Sequence, residues 1–163
     1  MDIQIRHSNQ SDFIAIKQIY EQKSCYAGTL QLPFPSEDIW QKKLENWPDN
    51  VHSLVAMVDK KICGQINIEH FISPRRKHVA SLGMGVSEAY QGKGVGSKLL
   101  EAILELATNW LAITRIELEV YTDNQAGIAL YEKFGFSIEG TAKSYAFRNG
   151  EYVDVYFMAK VTL

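Results

Sequence analysis

Residues 91–98 read Gln-Gly-Lys-Gly-Val-Gly-Ser-Lys, with glycines at 92, 94 and 96. A residue without Cβ lets its backbone come within hydrogen-bonding distance of a bulky group and takes positive φ at no steric cost. Leu99, Leu100, Ile103, Leu104, Ala107 and Trp110-Leu111 follow at three- and four-residue intervals, the spacing of a helix with one buried face. The loop therefore opens onto a helix start, whose first amides have no partner inside the helix. Unpaired N–H groups and the positive end of the helix dipole suit an anion, pyrophosphate in particular. Lys93 and Lys98 add positive charge at the end where the dipole opposes it unless an anion is present.

Two nucleotide motifs do not fit this loop. A P-loop needs Lys and then Ser or Thr after its last glycine, whereas Gly96 is followed by Ser97, Lys98 and Leu99. A dinucleotide fingerprint needs G-x-G-x-x-G early in a βαβ unit, and Gly92-x-Gly94 runs on into Val95, Gly96 and Ser97 after a series of hairpin-like strands. The plain alternative is a turn whose glycines only let strand and helix pack closely. A second chemical candidate, Tyr131, stands with Gly127, Leu130 and Phe134 at i, i+3, i+4 and i+7, a pattern that by itself marks a core aromatic. Arg75-Arg76-Lys77-His78 is the one strong positive run. It reads as a solvated loop, or as an attractor for a carboxylate or a phosphate.

The chain must hold these groups with 163 residues, roughly one domain's worth, so a single domain over 1–163 is expected. Hydrophobic residues at 46% and charged residues at 22% place it among globular domains. Seventeen Lys and Arg against nineteen Asp and Glu leave a net charge of −2, which argues against nucleic acid or an anionic membrane as partner. Charges interrupt every apolar run, and Met1–Arg6 lacks the pattern of a secretory leader. Cys25 and Cys63 share no metal-ligand or redox spacing, which points to packing residues in a reduced, cytoplasmic protein without a metal.

Periodicity supplies the elements. Ile3 and Ile5 alternate as a strand. Phe13, Ile16, Ile19 and Tyr20 follow Ser11-Asp12 as a helix, and Ser36 caps a second one running to about Asn46, with Trp40 turned to the core. Residues 24–35, with Gly28, Pro33 and Pro35, read as a turn-rich passage. Leu54–Val58 and Ile62–Ile68 form a hairpin across Asp59-Lys60-Lys61, and Val79–Val86 is a third strand in this run. After the glycine loop and its helix, Ile116, Leu118 and Val120 alternate with Glu117 and Glu119 as a strand. Gln125–Phe134 is a helix stopped by Gly135, and Ser144–Phe147 and Tyr152–Met158 close a hairpin on Asn149-Gly150. The order is β-α-α-β-β-β-α-β-α-β-β.

Gln91-x-x-Gly94-x-Gly96 resembles the acyl-CoA motif of the GNAT N-acetyltransferase superfamily, and Asn124–Phe136 resembles its second signature. The element order matches as well, so the resemblance covers nearly the whole chain. Tyr145–Asp154 is further similar to bacterial members that acylate free L-amino acids. The resemblance implies an α/β fold with a mixed, mostly antiparallel sheet, helices on both faces and splayed fourth and fifth strands. It implies acetyl-CoA as co-substrate and a small-molecule amine as acceptor, an L-amino acid first, with a protein N-terminus or lysine, a polyamine or an aminoglycoside as the runner-up. It also implies direct attack in a ternary complex and, by family habit, a homodimer.

By the same resemblance Met84, Gly85 and Val86 contact the pantetheine arm through their backbone, and the Val86 N–H polarises the thioester carbonyl. The amides from Gln91 through Gly92, Lys93, Gly94, Val95, Gly96 and Ser97 hold the pyrophosphate. Asn124 and Lys133 join the cofactor site, Asn124 also fitting a helix cap. Tyr131 matches the tyrosine near the sulfur and serves as general acid, since a phenol with pKa near 10 protonates a leaving thiolate. Glu69 is the first choice for the base, against the commoner reading of a solvated strand-face charge; His78 and Glu88 are alternatives. The aromatic-rich Cys25–Trp40 segment corresponds to the family's variable substrate wall, and a non-catalytic acyl-CoA sensor is the rival reading from another class.

Overall fold

The computed structural model describes all 163 residues. In chain order it runs Gln4–His7 (β1), Phe13–Tyr20 (α1), Lys23–Ala27 (α2), Glu37–Glu45 (α3), Val51–Val58 (β2), Lys61–His70 (β3), Val79–Val86 (β4), Val95–Asn109 (α4), Arg115–Tyr121 (β5), Gln125–Lys133 (α5), Ser137–Arg148 (β6) and Glu151–Val161 (β7). Local chemistry accounts for the joints. Asp59 and Lys60 take φ of 49° and 64°, and Asn149 and Gly150 take 51° and 81°, the paired left-handed residues of tight hairpins. Gly135, at φ 92°, stops α5, and the Ser36 hydroxyl accepts from the Ile39 amide to start α3.

The seven strands form one sheet in the order β1-β2-β3-β4-β5-β7-β6, antiparallel at every seam except the parallel β4–β5. On one face, Leu99, Leu100 and Ile103 of α4 are fully buried against Ile66 and Ile68 of β3 and Ile116 and Leu118 of β5, and Ile128 of α5 joins them. On the other, Ile16, Ile19 and Tyr20 of α1 pack with Trp40 and Leu44 of α3 over Val55. Each such side chain contributes about 1.5–3 kcal/mol by leaving water, so both helical layers are firmly seated. No helix is long and apolar enough to cross a membrane.

Two expectations need correction. The turn-rich passage contains a short helix, α2, so the order gains one helix between α1 and α3. Trp110 is not on the buried stripe: α4 ends at Asn109, Trp110 leaves helical phase at φ −124°, and its ring is 75% exposed with Nε1 donating to Glu105. Cys25 and Cys63 are both buried, free packing residues.

The feature that positions the site is the seam between β4 and β5. Its pairing is confined to Val79↔Arg115, Ala80↔Ile116 and Ser81↔Glu117. Beyond it β4 stays with β3 as far as Val86↔Gly64, and β5 stays with β7 as far as Tyr121↔Val155. Each strand follows its own neighbour, and the right-handed twist of the sheet carries the two apart.

Candidate active site

A cavity of about 520 Å³ fills the wedge between the splayed strands. Met84, Gly85 and Val86 line one side, and Glu119, Val120 and Tyr121 the other. The unpaired edge of β4 offers backbone N–H and C=O groups to an extended ligand, as an edge strand does to an added strand. Gly85 keeps this edge close to α1. A Cβ there would lie 2.8 Å from the Tyr20 ring, which is fixed by stacking on Trp40 at 5.2 Å and by donating to Gln65 Oε1 at 2.6 Å.

The glycine loop closes one end. Gly92 and Gly94 take φ of 71° and 87°, and Gly92, Gly94, Gly96, Ser97 and the Gln91 side line the cavity. None of the amides from Gly92 to Ser97 donates to a carbonyl of the chain, leaving a row of donors at the start of α4 for an anion. Gln91 holds the loop in place: its Nε2 donates to Ser24 Oγ at 3.1 Å and to the Val86 carbonyl at 3.0 Å. Val95 turns its side chain into the core, so only its backbone belongs to the cradle. Lys93 and Lys98 stay on the outside, Lys93 5.8 Å from the Tyr90 ring centroid and Lys98 paired with Glu101 at 3.1 Å.

Asn124 has two roles. Its Oδ1 accepts from the Gly127 amide at 2.9 Å, capping α5, while the residue lines the cavity. Tyr131, further along α5, packs edge-on against Phe136 at 5.8 Å and also lines the cavity. Burial pushes its phenol up to about 12, with no hydrogen bond to another residue contributing. It is both a packing aromatic and a hydroxyl free to meet a ligand. Cys25 also reaches the cavity, its Sγ donating to the Val86 carbonyl at 3.1 Å.

The structure does not bring every candidate here. Glu69 sits near the end of β3 opposite Ser81, exposed and outside the cavity. His78 is exposed at the start of β4, the end remote from the glycine loop. Glu88 is engaged elsewhere, since the Ser24 amide donates to its carboxylate at 3.0 Å, capping α2 and holding the group below the usual carboxylate range, a poor setting for a base. Lys133 is exposed on α5 and does not line the cavity. The Arg75-Arg76-Lys77 run also stands at the start of β4, where Arg76 pairs with Glu117 and lies 4.8 Å over Phe71. It is a loop tied to the sheet rather than a wall of this cavity.

Two charged side chains that line the cavity were not singled out by periodicity. Glu119 is the carboxylate that lines the cavity, and Arg148 is the cation that does so. Glu117 and Glu119 share one face of β5, but only Glu119 lies past the last β4–β5 pair, where the strands have opened. The place at which the pairing stops separates them.

The fold, with its strand-splayed wedge, is that of known acetyltransferases. An acetyltransferase of the GNAT family from Streptococcus pneumoniae superposes over 99% of this chain and 100% of its own, with a TM-score of 0.85 at 28% identity. A ribosomal-protein-alanine N-acetyltransferase from Brucella melitensis superposes over 98% and 99% with a TM-score of 0.89 at 25% identity. The model of the acetyltransferase (GNAT) family matches residues 16–136, and the chain belongs to that family; it is an N-acetyltransferase. In sequence it is 46% identical over 160 residues, 98% of either chain, to the L-amino acid N-acetyltransferase AaaT of Escherichia coli strain K12. It is 38% identical over 116 residues, 65% of this chain and 66% of the other, to an N-alpha-acetyltransferase of Saccharolobus solfataricus.

Proposed function

We propose that the chain transfers the acetyl group of acetyl-CoA to the primary amine of a free L-amino acid, by direct attack in a ternary complex. The observation that carries this reading is the continuity of the wedge: unpaired amides at one end, an open strand edge along one side, and Tyr131 and Glu119 facing the same space. The full-length likeness to an L-amino acid N-acetyltransferase supports the choice of acceptor.

Acetyl-CoA supplies the activated acyl group, a thioester. The backbone of Met84, Gly85 and Val86 aligns its pantetheine arm as an added strand, and the Val86 N–H faces the thioester carbonyl as an oxyanion donor. The amides from Gly92 to Ser97 take the pyrophosphate, with Lys93 and Lys98 as outer screening charge; the Gln91 amide is not among them, because it donates to the Glu88 carbonyl at 3.4 Å. Asn124 holds the arm from the α5 side. Glu119, not Glu69, takes the proton that the amine loses as its nitrogen bonds to the acyl carbon. Tyr131 gives its phenolic proton to the sulfur as the carbon–sulfur bond breaks. The buried phenol remains protonated throughout the ordinary pH range and recovers its proton from solvent.

Thiol release from acetyl-CoA across amino acids, polyamines, aminoglycosides and peptide N-termini tests the reading. Turnover is expected with free amino acids first. Binding of acetyl-CoA without thiol release for any amine overturns it in favour of an acyl-CoA sensor. The free, buried cysteines support a reducing, cytoplasmic setting. A homodimer is expected by family habit, to be read by light scattering.

A further inference from the structure

Among the side chains that line the main cavity there is one carboxylate, Glu119, and one cation, Arg148. Arg148 ends β6, and its guanidinium lies 4.8 Å from the ring centroid of Tyr121. Tyr121 is buried, and its hydroxyl donates to the Thr29 carbonyl at 2.9 Å. The cation therefore rests on a platform that is itself tied to the segment following α2. A guanidinium stacked on a ring has lost much of its freedom already and presents a fork of donors matched to a carboxylate. Its carboxylate partner within the chain is Asp123, which accepts from both Nη1 and Nη2 of the fork and whose side chain is 63% exposed. Asp123 stands mostly in water and regains its hydration when released, so an incoming carboxylate of the same geometry can displace it and take over the fork.

A second cavity, of about 280 Å³, adjoins the first and shares Ala27, Thr29, Tyr121 and Arg148 with it. Its other walls are largely apolar, with Leu30, Leu32 and Pro33 on one side and Ala146 and Phe147 on the other. Leu32 is 78% and Phe147 66% exposed, apolar surface that an occupant would remove from water. An anionic head next to Arg148 and an apolar body in this cavity describe one amphipathic molecule, whose amine is left for Glu119.

We propose that Arg148 is the specificity-determining anchor for the acceptor's carboxylate and that the adjoining cavity receives its side chain, so that the preferred acceptors are α-amino acids with bulky apolar side chains. This rests on the acceptor class proposed above and assigns its recognition to named groups. Without Arg148 the acceptor's carboxylate would meet Glu119 with no compensating charge.

The test compares L-phenylalanine with phenethylamine, which keeps the ring and the amine and lacks the carboxylate, in wild type and Arg148→Gln. The expected result is a KM for L-phenylalanine raised at least tenfold, a preference for phenylalanine over phenethylamine reduced by a similar factor, and a KM for acetyl-CoA moved less than twofold. Arg148→Lys should recover part of the preference. Equal losses with both acceptors would reduce Arg148 to a structural role, and a selective rise in the KM for acetyl-CoA would assign it to the donor; either overturns the proposal. Should the wild type acetylate no amine, the functional reading fails separately. Calorimetry of L-phenylalanine with the coenzyme A-loaded protein then decides: weaker binding in Arg148→Gln upholds the anchor, and no binding to wild type, or equal binding to both, removes it.

Discussion

The Tyr131 hydroxyl has no partner in the chain, and its ring is held by Phe136. Removing the hydroxyl therefore costs little packing while removing the proposed proton donor, and the two effects separate in measurement. Tyr131→Phe is expected to lower kcat by roughly two orders of magnitude and to change the unfolding free energy by less than about 1 kcal/mol, read by steady-state kinetics and urea titration. Because burial pushes this phenol up to about 12, the protonated form is the donor at every pH below that value. The loss on Tyr131→Phe should then be of similar size from pH 7 to 9; a loss that shrinks steadily over that range contradicts the role. Glu119→Gln should lower kcat/KM for the amino acid by about a hundredfold with the KM for acetyl-CoA nearly constant, whereas Glu69→Gln, beyond the cavity, should change it less than twofold. Tyr131 is legible in the sequence because its motif is local and dense. Glu119 is not, since alternation puts Glu117 and Glu119 on one strand face alike and only the end of the β4–β5 pairing tells which one meets the wedge.

At the level of elements, the glycine loop is the most legible piece, since three alternating glycines before a strongly amphipathic helix state their own geometry. Gly94 sits at φ 87°, and a Cβ there would meet nothing within 4 Å. The penalty for alanine is thus backbone strain alone, about 1 kcal/mol, partly relieved by turning the loop. On the proposed reading, turning it would move amides off the pyrophosphate, so Gly94→Ala should raise the KM for acetyl-CoA about tenfold while kcat at saturation holds within threefold, as initial rates at varied acetyl-CoA will show. The short helix α2 is illegible for the converse reason. Its Ser24 amide is satisfied by Glu88, and Gln22 accepts from the Glu88 amide at 2.7 Å, contacts that no local pattern encodes. Trp110 misleads because it continues the spacing of α4 one residue past the point where the helix stops.

Over the whole molecule, the sheet is two well-paired halves, β1 to β4 and β5 to β7, joined by a parallel seam that ends at Ser81↔Glu117. The order of elements along the chain follows from the spacing of its apolar residues, whereas the helices on both faces are implied by the family resemblance. The width of the seam does not follow from that spacing, because it emerges from accumulated twist rather than from any residue. A ligand lying in the wedge touches the β4 edge and the glycine loop on one half and Asn124 and Tyr131 on the other, so binding fastens the two halves together. A ligand that binds only the folded state stabilises it by about 2.7 kcal/mol at a hundred times its Kd. At roughly 2–4 °C per kcal/mol for a chain of this size, coenzyme A at that concentration should raise Tm by about 5–11 °C in a thermal melt. Hydrogen exchange should slow on β4 and α5 together, since protection of the cradle alone would leave the α5 side unchanged. A full rise in Tm with protection confined to residues 91–97 would mean that the wedge plays no part in holding the donor.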